Sequence, residues 1–352
     1  MDSLAAYSGG LAASDPAFWL PLIFMGLMGF AILAYVLLDG FDLGVGILLN
    51  RAPDDEDRTT MLASIGTFWD ANETWLVLGI GLLLVAFPFA YGGILRELYF
   101  PVTLMLFGLI LRGVAFDFRA KSPPGRRALW TRLFGVGSIV AAWSQGYILG
   151  GVVTGHNHGV EYRLFSVFVG ACVVAGYAQL GAAWLIMKTE GDLQRQAVVW
   201  ARRAWWGLAA GIVAVSLVTP LMDPQIWSRW TSVTGLYLAP LPLATLACLL
   251  TLAAVLRTLP RPMDKFCWVP FALTAAIFTL AFLGLAISLF PWLLMGQITL
   301  WQGAAAPGSL KLVLVGACVV LPVIIAYNAY AYRVFWGKTA TSLSYDGPSS
   351  EA

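Results

Sequence analysis

Charge is scarce in this sequence. Asp, Glu, Lys and Arg make up only 11% of its 352 residues, while 59% are hydrophobic; a soluble domain carries roughly 25% charged residues. A single aqueous core cannot hide that much apolar surface, so an ordinary soluble domain is excluded. The formal net charge of +2 is too small for a nucleic-acid footprint. Histidine is scarcer still: His156 and His158 are the only two. They form an HxH in a polar stretch with only Glu161 nearby, which reads as loop surface rather than a metal site, and no membrane span holds the pair of histidines that would grip a haem from both sides. The four cysteines (Cys172, Cys248, Cys267, Cys318) lie in or beside apolar runs and form no CxxC or CxxCH. Disulfide frameworks, zinc sites and covalent haem attachment therefore have no support, and no metal site is expected in this chain. The first residues hold Asp2 and Asp15 but no Lys or Arg, unlike the basic start of a signal peptide.

What the sequence does have is apolar length. Nine runs are long enough to cross hydrocarbon, which needs about twenty residues each: roughly 18–49, 73–91, 98–118, 132–153, 164–187, 204–222, 236–257, 267–290 and 311–335. The expected fold is all-α, a polytopic membrane protein with one integral membrane domain over 1–340. The Ser/Gly/Pro-containing stretch 341–352 is expected to be a disordered cytoplasmic tail. Trp19, Trp227, Trp230, Trp292 and Trp301 fall near one set of span ends and Trp130 and Trp336 near the other, the usual aromatic belt of a membrane protein.

Lys and Arg set the orientation. Of the 21 present, the connections alternating from the N-terminus hold only Arg96, Arg163, Arg229 and Lys311; Arg112 lies inside a span, and the other sixteen fall in the opposite set. The N-terminus is expected outside and the C-terminus in the cytoplasm, in a bacterial inner membrane.

Three clusters break the apolar pattern. Asp39-Gly-Phe-Asp-Leu-Gly44 comes late in the first run, Thr67-Phe-Trp-Asp-Ala-Asn-Glu-Thr-Trp75 opens the second, and Arg112-Gly-Val-Ala-Phe-Asp-Phe-Arg119 closes the third. With alternating topology, all three are expected at the cytoplasmic ends of consecutive spans. Asp39 with Asp42, and Asp70 with Glu73, are three residues apart and share a helix face. Gly40 and Gly44 form a small-xxx-small pair that admits a neighbouring helix closely. A charge in mid-membrane costs about 3 kcal/mol. Six such groups (Asp39, Asp42, Asp70, Glu73, Arg112, Asp117) would together exceed the stability of a typical protein. They must be paired, protonated or reached by water, and Arg112 is expected to be the one internal cation available for pairing. A proton-conducting role for the acids is favoured over bracing of helix register alone. Asp54-Asp-Glu-Asp57 reads instead as a solvated acidic turn. A proton-coupled secondary transporter and a purely structural scaffold subunit are the alternatives; a transporter would place its polar site near the bilayer midplane on broken helices.

The clusters resemble subunit II of cytochrome bd-type quinol oxidases, including the cyanide-insensitive variety. The resemblance rests on Leu38-Asp-Gly-Phe-Asp-Leu-Gly-Val-Gly46, on Ser64-Ile through Phe68-Trp-Asp-Ala-Asn-Glu-Thr-Trp-Leu76, and on Leu109-Ile-Leu-Arg-Gly-Val-Ala-Phe-Asp-Phe-Arg119, with Phe290-Pro291 and Leu321-Pro-Val through Tyr327 and Tyr332 further along. It is dense over about residues 30–120 and thinner afterwards. Ala71 stands where the family often has Gly, a change a helix interior accepts. The resemblance implies two four-helix bundles plus a peripheral ninth helix, and a tight heterodimer with a haem-bearing subunit I. That partner would hold two haem b, one haem d and the loop that oxidises ubiquinol, while this chain would ligate no haem. Quinol oxidation would drive reduction of O2 to water with protons drawn from the cytoplasm. The resemblance further implicates the acid matching Asp70 in proton uptake, supported by those at Asp42 and Asp117; the placement of the clusters adds Glu73 and Asp39 to the expected proton path and makes Arg112 their structural pairing residue. Membrane lipid surrounds such a complex; a structural quinone in this subunit and a small single-helix accessory subunit are left open.

The orientation has a direct check. Single cysteines at Arg126 and His158, in a background lacking the native four, should label oppositely with a membrane-impermeant thiol reagent, position 158 from outside only. Labelling of both from outside would overturn the topology.

Overall fold

The structure, a computed structural model, describes residues 7–157, 159–222, 224–261 and 264–339; the expected tail at 341–352 lies outside the described residues. Among these, nine helices are long and apolar enough to cross a membrane. They are α1 (Pro16–Leu49), α3 (Trp69–Ala86), α4 (Pro88–Lys121), α5 (Pro124–Val153), α6 (Val160–Lys188), α7 (Gly191–Met222), α8 (Pro240–Thr258), α9 (Val269–Leu289) and α10 (Pro307–Val334); a shorter α2 (Asp55–Ile65) lies between the first two. Each satisfies its own backbone, the condition for a chain to exist in lipid.

Two expectations change here. The second and third spans were expected to be parted by a connection at 92–97. Instead α3 stops at Ala86 and α4 starts at Pro88, running 34 residues to Lys121. Proline has no N–H to continue a helix but suits the first turn of the next, so the break falls at Phe87 and residues 88–97 become the first turns of α4. The acidic run 54–57, expected as a solvated turn, begins a helix. The Asp54 carboxylate accepts from the Asp57 N–H at 2.8 Å, and Asp55, Glu56 and Asp57 occupy the first turn of α2, where acids complement the helix dipole.

The chain divides into two compact units. The smaller comprises 1–36, 70–98 and 289–337. Its core joins Leu20 and Phe24 of α1, Leu82, Leu83 and Ala86 of α3, Phe87, Ala90 of α4, and Leu300 and Leu310. A two-stranded hairpin, β1 (Trp292–Leu294) with β2 (Ile298–Thr299), leads into the turn Leu300–Gly303. The N–H of Ala305 donates to the Ala86 carbonyl at 2.8 Å, satisfying a backbone oxygen at the end of α3.

Among the described residues, the larger unit takes 37–69, most of 99–288, and 338–339, and α6 is at its centre, packed along both α5 and α7. Glycine makes the closest crossings. A Cβ built on Gly44 would stand 1.9 Å from the Tyr177 carbonyl oxygen and 2.7 Å from the Gly181 nitrogen; one on Gly181 would stand 2.3 Å from the Gly44 carbonyl carbon. The backbones of α1 and α6 therefore touch, as the Gly40/Gly44 spacing led one to expect. Gly108 and Gly137 do the same for α4 and α5: a Cβ on Gly137 would meet the Gly108 oxygen at 2.7 Å and the Arg112 nitrogen at 2.8 Å.

These crossings make a measurable difference between glycines. Gly44→Ala forces the helices apart and should destabilise the detergent-purified protein by about 1–3 kcal/mol or more, seen as a lowered thermal midpoint. Gly26→Ala and Gly81→Ala, where nothing lies within 4 Å of the added carbon, should leave the midpoint in place. Equal effects at all three would refute the close-crossing account.

Candidate functional site: a buried ion pair and its acids

Within the larger unit, Arg112 of α4 donates from Nη2 to Asp39 Oδ1 of α1 at 2.7 Å, with side chains only 1% and 0% exposed. Both were singled out from the sequence, and the structure joins them. Asp39 lies ten residues before the end of α1, which stops at Leu49 as the expected span 18–49 did, and every residue from Asp39 to Leu49 is buried. No Pro interrupts Gly40–Leu49 and apolar neighbours cover it, so the helix continues. At 1.5 Å per residue, Asp39 lies about 15 Å from the end of α1 and Arg112 about 14 Å from the end of α4.

The walls of this pair come from α1, α4, α5 and α6 and from Trp69, the first residue of α3. The Arg112 guanidinium lies over the Trp69 ring, 5.5 Å from its centroid, and the Arg112 backbone rests on Gly137 of α5. A Cβ on Gly40 would meet Tyr177 Cε1 at 2.9 Å, so the Tyr177 ring of α6 lies directly on the residue after Asp39. Tyr177 is itself buried, and its hydroxyl donates to Gln145 Oε1 of α5 at 2.6 Å. Asp42, one turn along α1, is also fully buried.

Asp117 differs. It is exposed on α4, at the end of an exposed stripe formed by Phe107, Ile110, Val114 and Phe118. In the smaller unit, Asp70 holds the matching position at the head of α3: it is exposed in the first turn, and Thr74, Val77, Ile80 and Leu84 continue its stripe. Glu73 is half-buried, while Asn72 is fully buried and accepts from the Tyr332 hydroxyl of α10 at 2.9 Å. The acids therefore fall into two chemical classes. Asp39 is committed to a permanent cation, whereas Asp70 and Asp117 are exposed, each on the surface of its own unit.

Arg112 is not the sole buried cation, contrary to expectation: Arg119 and Lys188 are each only 6% exposed. Arg119 donates to Asp55 at 2.8 Å, to Thr59 at 3.2 Å and to Thr131 at 3.0 Å. Its Nε and Nη2 thus tie α4 to α2 and α5. Lys188 sits with Nζ 5.0 Å above the Trp184 ring. Sequence reading treated these cations as topology markers; for Arg119 nothing local reveals partners 60 and 64 positions away.

A second network, also missed, closes the same end of the larger unit. Asp264 accepts from Gln194 at 2.8 Å, from Lys338 at 3.0 Å and from the Cys267 thiol at 3.4 Å, while Lys338 also donates to the Thr189 carbonyl at 2.8 Å. Burial pushes the Asp264 carboxyl up, but these hydrogen bonds and the Lys338 charge outweigh it and hold the group below its ordinary value. The Cys267 thiol moves the other way, pushed up to about 11 by burial and by the adjacent Asp264. A depressed carboxylate stabilises the fold above its unfolded pKa and loses that contribution only as pH falls through the folded one. This clasp is therefore complete at neutral pH. The histidine pair yields less: His156 occupies a left-handed turn after α5 with φ of 58°, and His158 lies outside the described residues.

A long-helix membrane protein with a buried Asp–Arg pair and surface carboxyls at its helix ends matches one known family. The model for cytochrome bd terminal oxidase subunit II matches residues 20–335, and the chain belongs to that family. It is 28% identical over 335 residues to cytochrome bd ubiquinol oxidase subunit 2 of Bacillus subtilis (strain 168), covering 90% of this chain and 94% of the relative. It is 25% identical over 354 residues to cytochrome bd-I ubiquinol oxidase subunit 2 of Escherichia coli (strain K12), covering 89% and 93%. A solved chain of the bd oxidase from Geobacillus thermodenitrificans superposes with a TM-score of 0.73 at 17% identity, over 90% of this chain and 98% of that one, and so shares its fold.

Removing one member of the buried pair strands the other. Arg112→Leu should cost about 3–5 kcal/mol, while Arg112→Leu combined with Asp39→Leu should regain most of that loss. Denaturation midpoints of the two variants decide it. A double variant no more stable than the single one would show that pairing is not what Arg112 supplies.

Proposed function

We propose that this chain is the haem-free second subunit of a membrane quinol:O2 oxidoreductase. In this reading it braces a haem-bearing subunit I and provides a cytoplasmic proton path for reduction of O2 to water. The observation that carries it is the family match across residues 20–335. Ubiquinol is the substrate named for the relatives, and we carry it to this chain as a proposal. The assembled partner would hold the two haem b and the haem d. The chain's own residues support that division: its two histidines fall at positions 156 and 158, between α5 and α6, so no transmembrane helix of this chain offers histidine to a haem iron. The grouping into two four-helix bundles with a peripheral ninth helix, a single membrane domain over 1–340, and the N-terminus outside with the C-terminus cytoplasmic belong to the same proposal.

Reducing one O2 to water consumes four protons by stoichiometry. A reaction centre enclosed in hydrocarbon obtains them only through ionisable groups and water. Asp70 is the proposed first acceptor, because it is exposed at the head of α3 and the positive bias of the adjoining connections marks that end as cytoplasmic. Glu73, Asp42 and Asp117 are its proposed companions. Asp39 joins the proposed path by its place in the acidic cluster, and its ion pair with Arg112 suits it to shaping the field rather than shuttling the proton. A scaffold role without proton transfer is the competing reading, and a transporter would bring no haem with it.

Asp70→Asn tests the proposal. Asn nearly matches Asp in shape but does not exchange a proton near neutral pH. The complex purified through this chain should keep its haem absorbance, whereas quinol-driven O2 uptake should fall by about tenfold or more, the scale of a lost proton-transfer group. Wild-type respiration in the assembled variant would reject the relay, and a complex without haem absorbance would reject the oxidase.

A further inference from the structure

The last carbonyls of a helix have no donor within it, and α6 ends at Lys188. Three carbonyls at this end are answered from other parts of the larger unit. Gln194 of α7 donates to the Ile186 oxygen at 3.0 Å, the Thr339 N–H to the Lys188 oxygen at 2.8 Å, and Lys338 Nζ to the Thr189 oxygen at 2.8 Å. A cation at this position also complements the helix dipole. Lys338 pairs in addition with Asp264 at 3.0 Å, the two side chains being 27% and 35% exposed.

The segments on either side of that pair have unusual backbones. Asp264 has a φ of 51° and Phe266 a φ of 69°, a left-handed region that costs residues with a side chain and is held only where surrounding contacts impose it. The thiol of Cys267, 4% exposed, donates to Asp264 and closes this turn. Lys338 is reached through Gly337, whose φ of 119° suits glycine alone, and nothing lies within 4 Å of a Cβ built there. The smaller unit ends at Gly337 and the larger resumes at Lys338.

We propose that Lys338 and Thr339 are a latch, hinged at Gly337, that closes this end of the larger unit. Docked, they cap α6 and hold the strained 264–266 turn. Released, they leave the Lys188 and Thr189 carbonyls and the Asp264 carboxylate without these donors; the turn relaxes and the Cys267 thiol is uncovered. Magnitudes decide that the latch opens by itself. A half-exposed ion pair contributes little, and each hydrogen bond contributes modestly once water replaces the partner. The helices behind it are held by glycine crossings and buried side chains. The latch therefore belongs to the low end of local stability and opens without the helices separating. It stands independently of the proton path.

Cys267 is a native reporter for the test. The complex purified through this chain, with Cys267 as the one cysteine this subunit retains, is treated with N-ethylmaleimide and the subunit's mass is followed in time. Lys338→Met should label about tenfold faster than Lys338, the rise in open population that loss of one charge-assisted bond allows. Gly337→Val, which disfavours the left-handed bend, should also speed labelling. A second chain retaining only Cys172, buried within α6, should label at the same slow rate with and without Lys338→Met, because one end opens and the fold does not. An unchanged Cys267 rate in Lys338→Met overturns the latch. Equal acceleration at Cys172 overturns it too, since that means general loosening. Should Lys338→Met not assemble, Gly337→Val takes its place in the same comparison.

Discussion

A guanidinium cannot shed its charge in a protein, and burying one in a membrane protein without a partner is prohibitive. Arg112 therefore dictates much of what surrounds it. Asp39 must stand within hydrogen-bond reach, which fixes α1 against α4 at 2.7 Å between nitrogen and oxygen. To bring Arg112 that close, α4 must cross α5 at backbone contact, and Gly108 and Gly137 allow this. For α1 to hold Asp39 there while packing on α6, Gly40 and Gly44 must be bare. The ion pair and the glycine crossings depend on each other. Without the crossings the charges would be apart, and without the pair the crossings would enclose an uncompensated cation.

The same constraint sorts the carboxyls. A carboxylate paired with a permanent cation has little freedom to change charge, because protonating it strands the partner. One at the surface of a helix end can change charge at small cost. Asp39 is of the first kind, Asp70 and Asp117 of the second. The exposed apolar stripes beyond Asp70 and Asp117 are the ordinary consequence of a surface that faces lipid or another membrane subunit rather than water.

The spans were legible because hydrophobic length is a local property: the nine apolar runs correspond to the nine long helices. Errors arose where one residue overrode the average. Pro88 moved a boundary back into the last residues of an apolar run, and the Asp54 cap turned an acidic stretch into the start of α2. The Asp39–Arg112 pair was foreseeable because Arg112 was the one cation within an apolar run. By contrast Arg119 with Asp55, Tyr177 with Gln145, and Lys338 with Asp264 join positions 64, 32 and 74 apart in sequence. Each member is unremarked locally, so only the fold reveals the partner. The relation of Lys188 to Trp184, four residues apart on one helix, was within reach of a spacing argument and was missed because Lys188 also served as a topology marker.

The stretch Asp39-Gly-Phe-Asp-Leu-Gly-Val-Gly46 shows how so much specification fits into two turns. A helix presents a new direction every 100°, so consecutive residues face different neighbours and can answer different demands. Asp39 meets α4, Gly40 yields to the Tyr177 ring, Phe41 stacks on Trp184, Gly44 admits the α6 backbone and Gly46 admits Ser138 of α5. Three of these positions need the absence of a side chain, one needs a charge and one a flat ring. No exchange among them would preserve the contacts, since moving Phe41 by one position would drive a ring into a crossing that tolerates no Cβ. A segment under so many simultaneous packing demands leaves little room for substitution, whereas most of the apolar surface around it needs only to be hydrophobic.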